Sequence, residues 1–110
     1  MDPQKAILHV QIVRFAHDGQ PPAVACEFID ADGKCHTIVD KVWMFFDEIL
    51  DSTSEYPQVG EVRCTVLDQW RDEQGRDLVR INTEVPDNIW SIEELSEFVV
   101  LLNEVSTGLS

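Results

Sequence analysis

E-V-R-C-T-V-L-D-Q-W-R-D-E-Q-G-R-D-L-V-R-I-N-T, Glu61 to Thr83, is the stretch that decides the fold. Val62, Cys64 and Val66 alternate with Glu61, Arg63 and Thr65. A period of two puts successive side chains on opposite faces, which is the pattern of a half-buried strand. Asp72-Glu73-Gln74-Gly75-Arg76 then interrupts with turn residues, and Gly75 can take a positive φ without a steric penalty. Leu78 to Thr83 returns with Val79 and Ile81 on one face and Arg80 and Asn82 on the other. Two alternating runs around such a turn make a β-hairpin.

An isolated hairpin is marginal in water, so its apolar face needs further strands. Ala6 to Phe15 supplies one, rich in β-branched residues, with Leu8, Val10 and Ile12 on one face and His9, Gln11 and Val13 on the other. Asp18-Gly19 and Pro21-Pro22 mark a connection. Ala23 to Ile29 is the next strand, alternating at Val24, Cys26 and Phe28. Asp30-Ala31-Asp32-Gly33 is a tight-turn signal, and Lys34 to Val42 the following strand. These three form an antiparallel meander.

Trp43 to Leu50 fits either a continued strand or a short helix, because W-M-F-F-D-E-I-L matches neither period. Asp51 to Gly60 reads as a loop, with Ser52-Thr53-Ser54, Tyr56-Pro57 and Gly60. Pro86-Asp87-Asn88 is another break. Ser91-Ile92-Glu93-Glu94 then matches a helix capping box, and Ile92, Leu95, Val99 and Leu102 fall on one helical face. F-V-V-L-L, Phe98 to Leu102, also reads as a strand; the capping box favours the helix. The expectation is one domain over residues 1–110, mainly β or α+β. It is a small antiparallel sheet or partly open barrel of about five to six strands, with a C-terminal helix or a sixth strand.

Charge is the strongest compositional signal: 21 acids against 8 bases, a net −13. Residues 42–62 carry Asp47, Glu48, Asp51, Glu55 and Glu61 and no base. Residues 81–110 carry Glu84, Asp87, Glu93, Glu94, Glu97 and Glu104, again without a base. Such a field repels phosphates and anionic membranes, so neither nucleic acid nor a membrane surface is an expected partner. It attracts a basic protein and speeds the encounter. Against this, acidic surfaces are common and aid solubility. No apolar run approaches the roughly 18 residues of a membrane helix. Met1-Asp2-Pro3-Gln4-Lys5 lacks a signal pattern, so the expected location is the cytoplasm.

Little points to catalysis. No G-x-S-x-G, phosphate-binding glycine loop or H-E-x-x-H is present. Carboxylate pairs such as Asp47 and Glu48 arise by chance among so many acids. The histidines at 9, 17 and 36 read as isolated, and the cysteines at 26, 35 and 64 as buried strand residues. Cys35 and His36 are neighbours, but adjacent strand residues face opposite ways, so they do not make a metal pair. No cofactor, metal or disulfide is expected, and the protein is read as a non-enzyme.

The aromatics suggest where a partner docks, since interfaces set aromatic anchors within charged rims. Trp43, Tyr56 and Trp90 are the anchors expected on the surface, with Asp47, Glu48, Asp51 and Glu55 supplying charge. Some of the aromatics must fill the core of so small a domain.

Asp40-Lys41-Val42, Tyr56-Pro57-x-x-Gly60, Cys64-x-Val66 and Gly75-Arg76-x-x-Val79-Arg80-Ile81-x-Thr83 together resemble motifs of small bacterial single-domain proteins, most of them uncharacterised. The resemblance spans roughly half the chain. It implies a bacterial, cytoplasmic, β-rich protein and carries no functional residue with it.

The sharpest functional expectation is an immunity or antitoxin-type inhibitor that blocks a basic toxin, such as a nuclease, with a carboxylate-rich surface. The alternative is a structural or accessory subunit of a bacterial assembly. Such a subunit would dock or dimerise through its sheet edge or the Ile92/Leu95/Val99 face.

Overall fold

The structure, a computed structural model, describes residues 4–17, 22–45, 50 and 53–107. Seven strands run in order: β1 (Gln4–His17), β2 (Ala23–Ile29), β3 (Cys35–Lys41), β4 (Gln58–Arg71), β5 (Asp77–Asn82), β6 (Glu97–Leu101) and β7 (Val105–Thr107). Single 3-10 turns at Val42–Met44 and Leu102–Glu104 are the helical elements among the described residues. The sheet order is β3-β2-β1-β4-β5-β6, with β7 returning to pair with β1. Each described pairing is antiparallel.

The meander and the β4–β5 hairpin stand where the alternation placed them. On β1, Leu8, Val10 and Ile12 are buried together. They meet Val24, Cys26 and Phe28 of β2, Ile38 of β3, Val62 and Cys64 of β4, and Val79 and Ile81 of β5. Side chains of the intervening positions project from the opposite face. Register shifts between Ile12 and Arg14, Phe15 and His17, and Val66 and Asp68 break the ladders. Such bulges bend and twist a sheet, and here the sheet curls over its core as a half-barrel. Val42, Phe45, Leu50 and Ile89 enter that core from the connections.

Gly60 is where β4 passes closest to its surroundings. A Cβ there would lie 2.9 Å from Ile12 Cδ1 and 3.2 Å from the Phe45 carbonyl oxygen. The next amide, of Glu61, donates to that same carbonyl at 2.8 Å.

The C-terminal segment departs from the helix expected of it. Residues 97–101 are strand β6, with Phe98 opposite Ile81 and Val100 opposite Val79. The apparent capping box closes a turn instead. The Ser91 hydroxyl accepts from the amides of Glu93 at 3.3 Å and Leu95 at 3.2 Å. Glu94 then takes φ +65°, which ends any helix. β5 offers an unpaired edge, and Phe98 and Val100 fill its core face. A helix would leave those backbone groups without partners. The helical face of Ile92, Leu95 and Val99 therefore does not exist: Ile92 and Leu95 are exposed on the turn, and Val99 lies on β6.

The cysteines divide as well. Cys26 and Cys64 are buried, but Cys35 is exposed, because it occupies the outward parity of β3 beside inward His36.

Candidate functional site

Residues 83–96 join β5 to β6, a connection well beyond the roughly 4–6 residues usual between elements. It is nonetheless firmly held. Buried Thr83 donates its hydroxyl to the Ile89 carbonyl at 2.8 Å, and the Ile89 amide donates back to Thr83 O at 3.1 Å. Ile89 is fully buried, a plug that fixes the middle of the loop. The Thr65 hydroxyl donates to Val85 O at 3.2 Å. Arg63 grips Asp87 with two hydrogen bonds, one of them Nε to Oδ2 at 2.8 Å. The Ile92 amide donates to Thr37 O of β3 at 2.9 Å.

What this anchored loop displays is apolar. Val85, Trp90, Ile92 and Leu95 are all exposed, Ile92 at 65%. Exposed Glu94 stands among them in the chain, and exposed Glu84 and Glu97 flank them. Trp90 Nε1 donates to Asn88 Oδ1 at 3.0 Å, which satisfies its polar end, and the residue is 41% exposed. Large apolar side chains on a braced loop with acidic neighbours have the composition of an interface anchor in a charged rim.

The loop is tied to β3 through His36, which sequence reading left isolated. His36 is buried, with Nε2 2.7 Å from Asp30 Oδ2 and Nδ1 3.2 Å from Glu93 Oε1. Its ring packs against Phe28 and Phe98 at centroid distances of 5.3 and 4.8 Å. The other oxygen of Glu93 meets Lys34 Nζ at 3.2 Å. Burial by itself would raise the Asp30 carboxyl. The hydrogen bonds from His36 and from the amides of Lys34 and Asp32, with the His36 charge, outweigh burial and hold it below the usual range. Glu93 is lowered too, first by its hydrogen bond with His36 and then by Lys34. The parity of β3 was the available signal, since His36 shares the inward face of Ile38.

Of the expected site residues, those described fall on two connections, β3 to β4 and β5 to β6. Trp43 is 62% exposed on the 3-10 turn after β3. Tyr56 is half-buried and packs against the core. Glu55 is exposed, and its carbonyl accepts from Gln58 Nε2 at 2.8 Å. Trp90 belongs to the loop just described. Asp47, Glu48 and Asp51 lie outside the described residues. Sequence reading missed the loop's aliphatic members, Val85, Ile92 and Leu95, because it assigned two of them to a helix face.

Among the described residues, five of the chain's eight bases pair with its own acids: Lys34 with Glu93, Lys41 with Asp40, Arg63 with Asp87, Arg71 with Asp77 and Arg76 with Asp72. Among the described residues, no group of three or more His, Cys, Asp or Glu side chains is gathered for a metal ion. No helix among them is long and apolar enough to cross a membrane. Comparison with protein-family models, curated proteins and solved structures returned no match.

Proposed function

We propose that this protein is a stoichiometric protein-binding module, and that the β5–β6 loop is its binding surface. The observation that carries the reading is the pairing of a braced loop with four exposed apolar side chains, Val85, Trp90, Ile92 and Leu95. Acidic excess completes it: the chain carries a net −13, and exposed Glu84, Glu94 and Glu97 beside these side chains select a basic partner. In its finer form the module is an immunity or antitoxin-type inhibitor in the bacterial cytoplasm. It occupies the phosphate-binding cleft of a basic toxin such as a nuclease, without catalysis of its own. Trp90 and Ile92 enter the cleft, and Glu84 and Glu94 answer its charge.

The test is capture from a bacterial lysate on immobilised protein, eluted along a salt gradient and repeated with two variants. One is Trp90→Ala with Ile92→Ser; the other is Glu84→Lys with Glu94→Lys. The reading expects one basic protein, eluted by salt. It should be lost from the first variant, and association with the second should be slowed by about tenfold or more. Equal retention by all three proteins would remove the loop from consideration.

A second reading has one observation of its own: β3 and β6 end the strand order, with edge groups left beside the Thr37 and Val99 carbonyls that the Ile92 and Ala31 amides occupy. A structural subunit, or a homodimer, would form by adding a strand there. Its association would be nearly insensitive to salt, in contrast to the first reading.

A further inference from the structure

The long strand β1 changes neighbours along one side. β4 flanks it from Gln4 to Ile12. On the other side β7 pairs with Ala6 to Leu8, and β2 pairs from Gln11 to His17. His9 and Val10 fall between the two, so the sheet forks at that point. The fork opens a groove of about 400 Å3 on the face opposite the core. Ile29 and Cys35, paired across β2 and β3, form one wall, and Pro57 and Val59 of the β4 strand entry form the other. His9 sits at the fork itself, with Nε2 2.7 Å from Ser106 Oγ of β7.

Two features of the groove point to one class of ligand. Its walls are apolar and solvent-facing, with Ile29 53% and Val59 62% exposed. Its charged lining is carboxylate, Glu27 from β2 and Glu104 from the turn before β7; among the described residues no Lys or Arg lines it. Neither acid is ion-paired to one of the chain's bases among the described residues. The volume lies within the roughly 300–1,000 Å3 of small-molecule sites. Glu27 also interacts with the Cys35 thiol, and Glu104 is exposed; a cation gains the attraction of both carboxylates, which a neutral ligand lacks, and an anion is repelled. We infer that the fork groove binds a small organic ammonium ion, its apolar body against Ile29 and Val59 and its cationic head between Glu27 and Glu104. No residue of the 83–96 loop lines the groove, and the inference stands whether or not that loop binds a protein.

Cys35 makes the test direct, because it lines the groove and is exposed, whereas Cys26 and Cys64 are buried. The probes are 2-phenylethylammonium, the neutral 2-phenylethanol and the anionic phenylacetate. Each is titrated into 15N-labelled protein, and the rate of Cys35 alkylation by iodoacetamide is followed in parallel. The ammonium ion should give saturable shifts at residues 9–11, 27–29, 59 and 104 and slow the alkylation. The alcohol should bind about tenfold more weakly, for want of the charge-assisted contacts, and phenylacetate not at all.

Glu27→Gln with Glu104→Gln should abolish the preference for the ammonium ion over the alcohol. Val59→Arg should block binding by placing a cation of the chain's own in the groove. Glu73→Gln, on the β4–β5 turn, should change nothing. Circular dichroism confirms that each variant is folded. Equal affinity for the three probes, shifts elsewhere on the protein, or no saturable binding would overturn the proposal.

Discussion

His36 Nδ1 stands 3.2 Å from Glu93 Oε1, a contact between residues 57 positions apart in the chain. It sits at a seam. The Ala31 amide donates to Val99 O at 2.8 Å, and the Ile92 amide donates to Thr37 O. The β2–β3 turn and the β5–β6 loop thus bring the two ends of the curled sheet together, with His36 between them. Each ring nitrogen lies within hydrogen-bond distance of a carboxylate oxygen, which fixes the ring in place.

Replacement of His36 with Ala should therefore destabilise the protein by about 2–4 kcal/mol, through a cavity beside Phe28 and Phe98 and the loss of partners for Asp30 and Glu93. Urea unfolding measures it. Glu93→Gln, at the exposed end of the same contact, should cost distinctly less. Equal losses in the two variants would contradict the placement of His36 as the buried member.

Acid should weaken the same seam. Asp30 and Glu93 are both held below their ordinary values of 3.8 and 4.5. A depressed carboxylate contributes stability that is complete above its unfolded value and lost as pH falls through its folded one. The loss should thus begin below about pH 4.5 and continue beneath 3.8. Asp30→Asn should flatten that limb in urea midpoints taken from pH 6 to pH 3; a limb as steep as the unmodified protein's would show that the charge of Asp30 is not its source.

Thiol chemistry separates the cysteines. Burial pushes Cys26 up to about 12, helped by Asp40, and Cys64 up to about 11. Cys35 is raised by partial burial and by Glu27 and Glu93, yet it is exposed. Iodoacetamide at pH 8 should modify Cys35 first and reach the other two only on unfolding. Glu27→Gln should quicken the Cys35 reaction, since removal of a negative charge favours the thiolate. Peptide mapping by mass spectrometry checks both, and early modification of Cys26 or Cys64 would refute the assignment.

Gly60→Ala should cost about 1–3 kcal/mol, because its methyl group meets Ile12 on one side and the Phe45 carbonyl on the other. Gly33→Ala meets no atom within 4 Å and should lose about 1 kcal/mol through its φ of +84° alone. Thermal unfolding of the two variants ranks them, and a milder effect at Gly60 would mean that Ile12 can move aside.

The sequence alone determined the meander, the β4–β5 hairpin and the sheet's buried face, because alternation and turn residues act over a few positions. It likewise determined the acidity, which is a sum over residues. Only the tertiary structure decided residues 92–105. F-V-V-L-L suits either period there, and the edge of β5 drew it into a strand. The same holds for His36, whose partners Asp30 and Glu93 come from two different connections, and for the groove, which exists because β7 and β2 share one side of β1. These are relationships between distant parts of the chain, set by pairing and packing, and no local pattern encodes them.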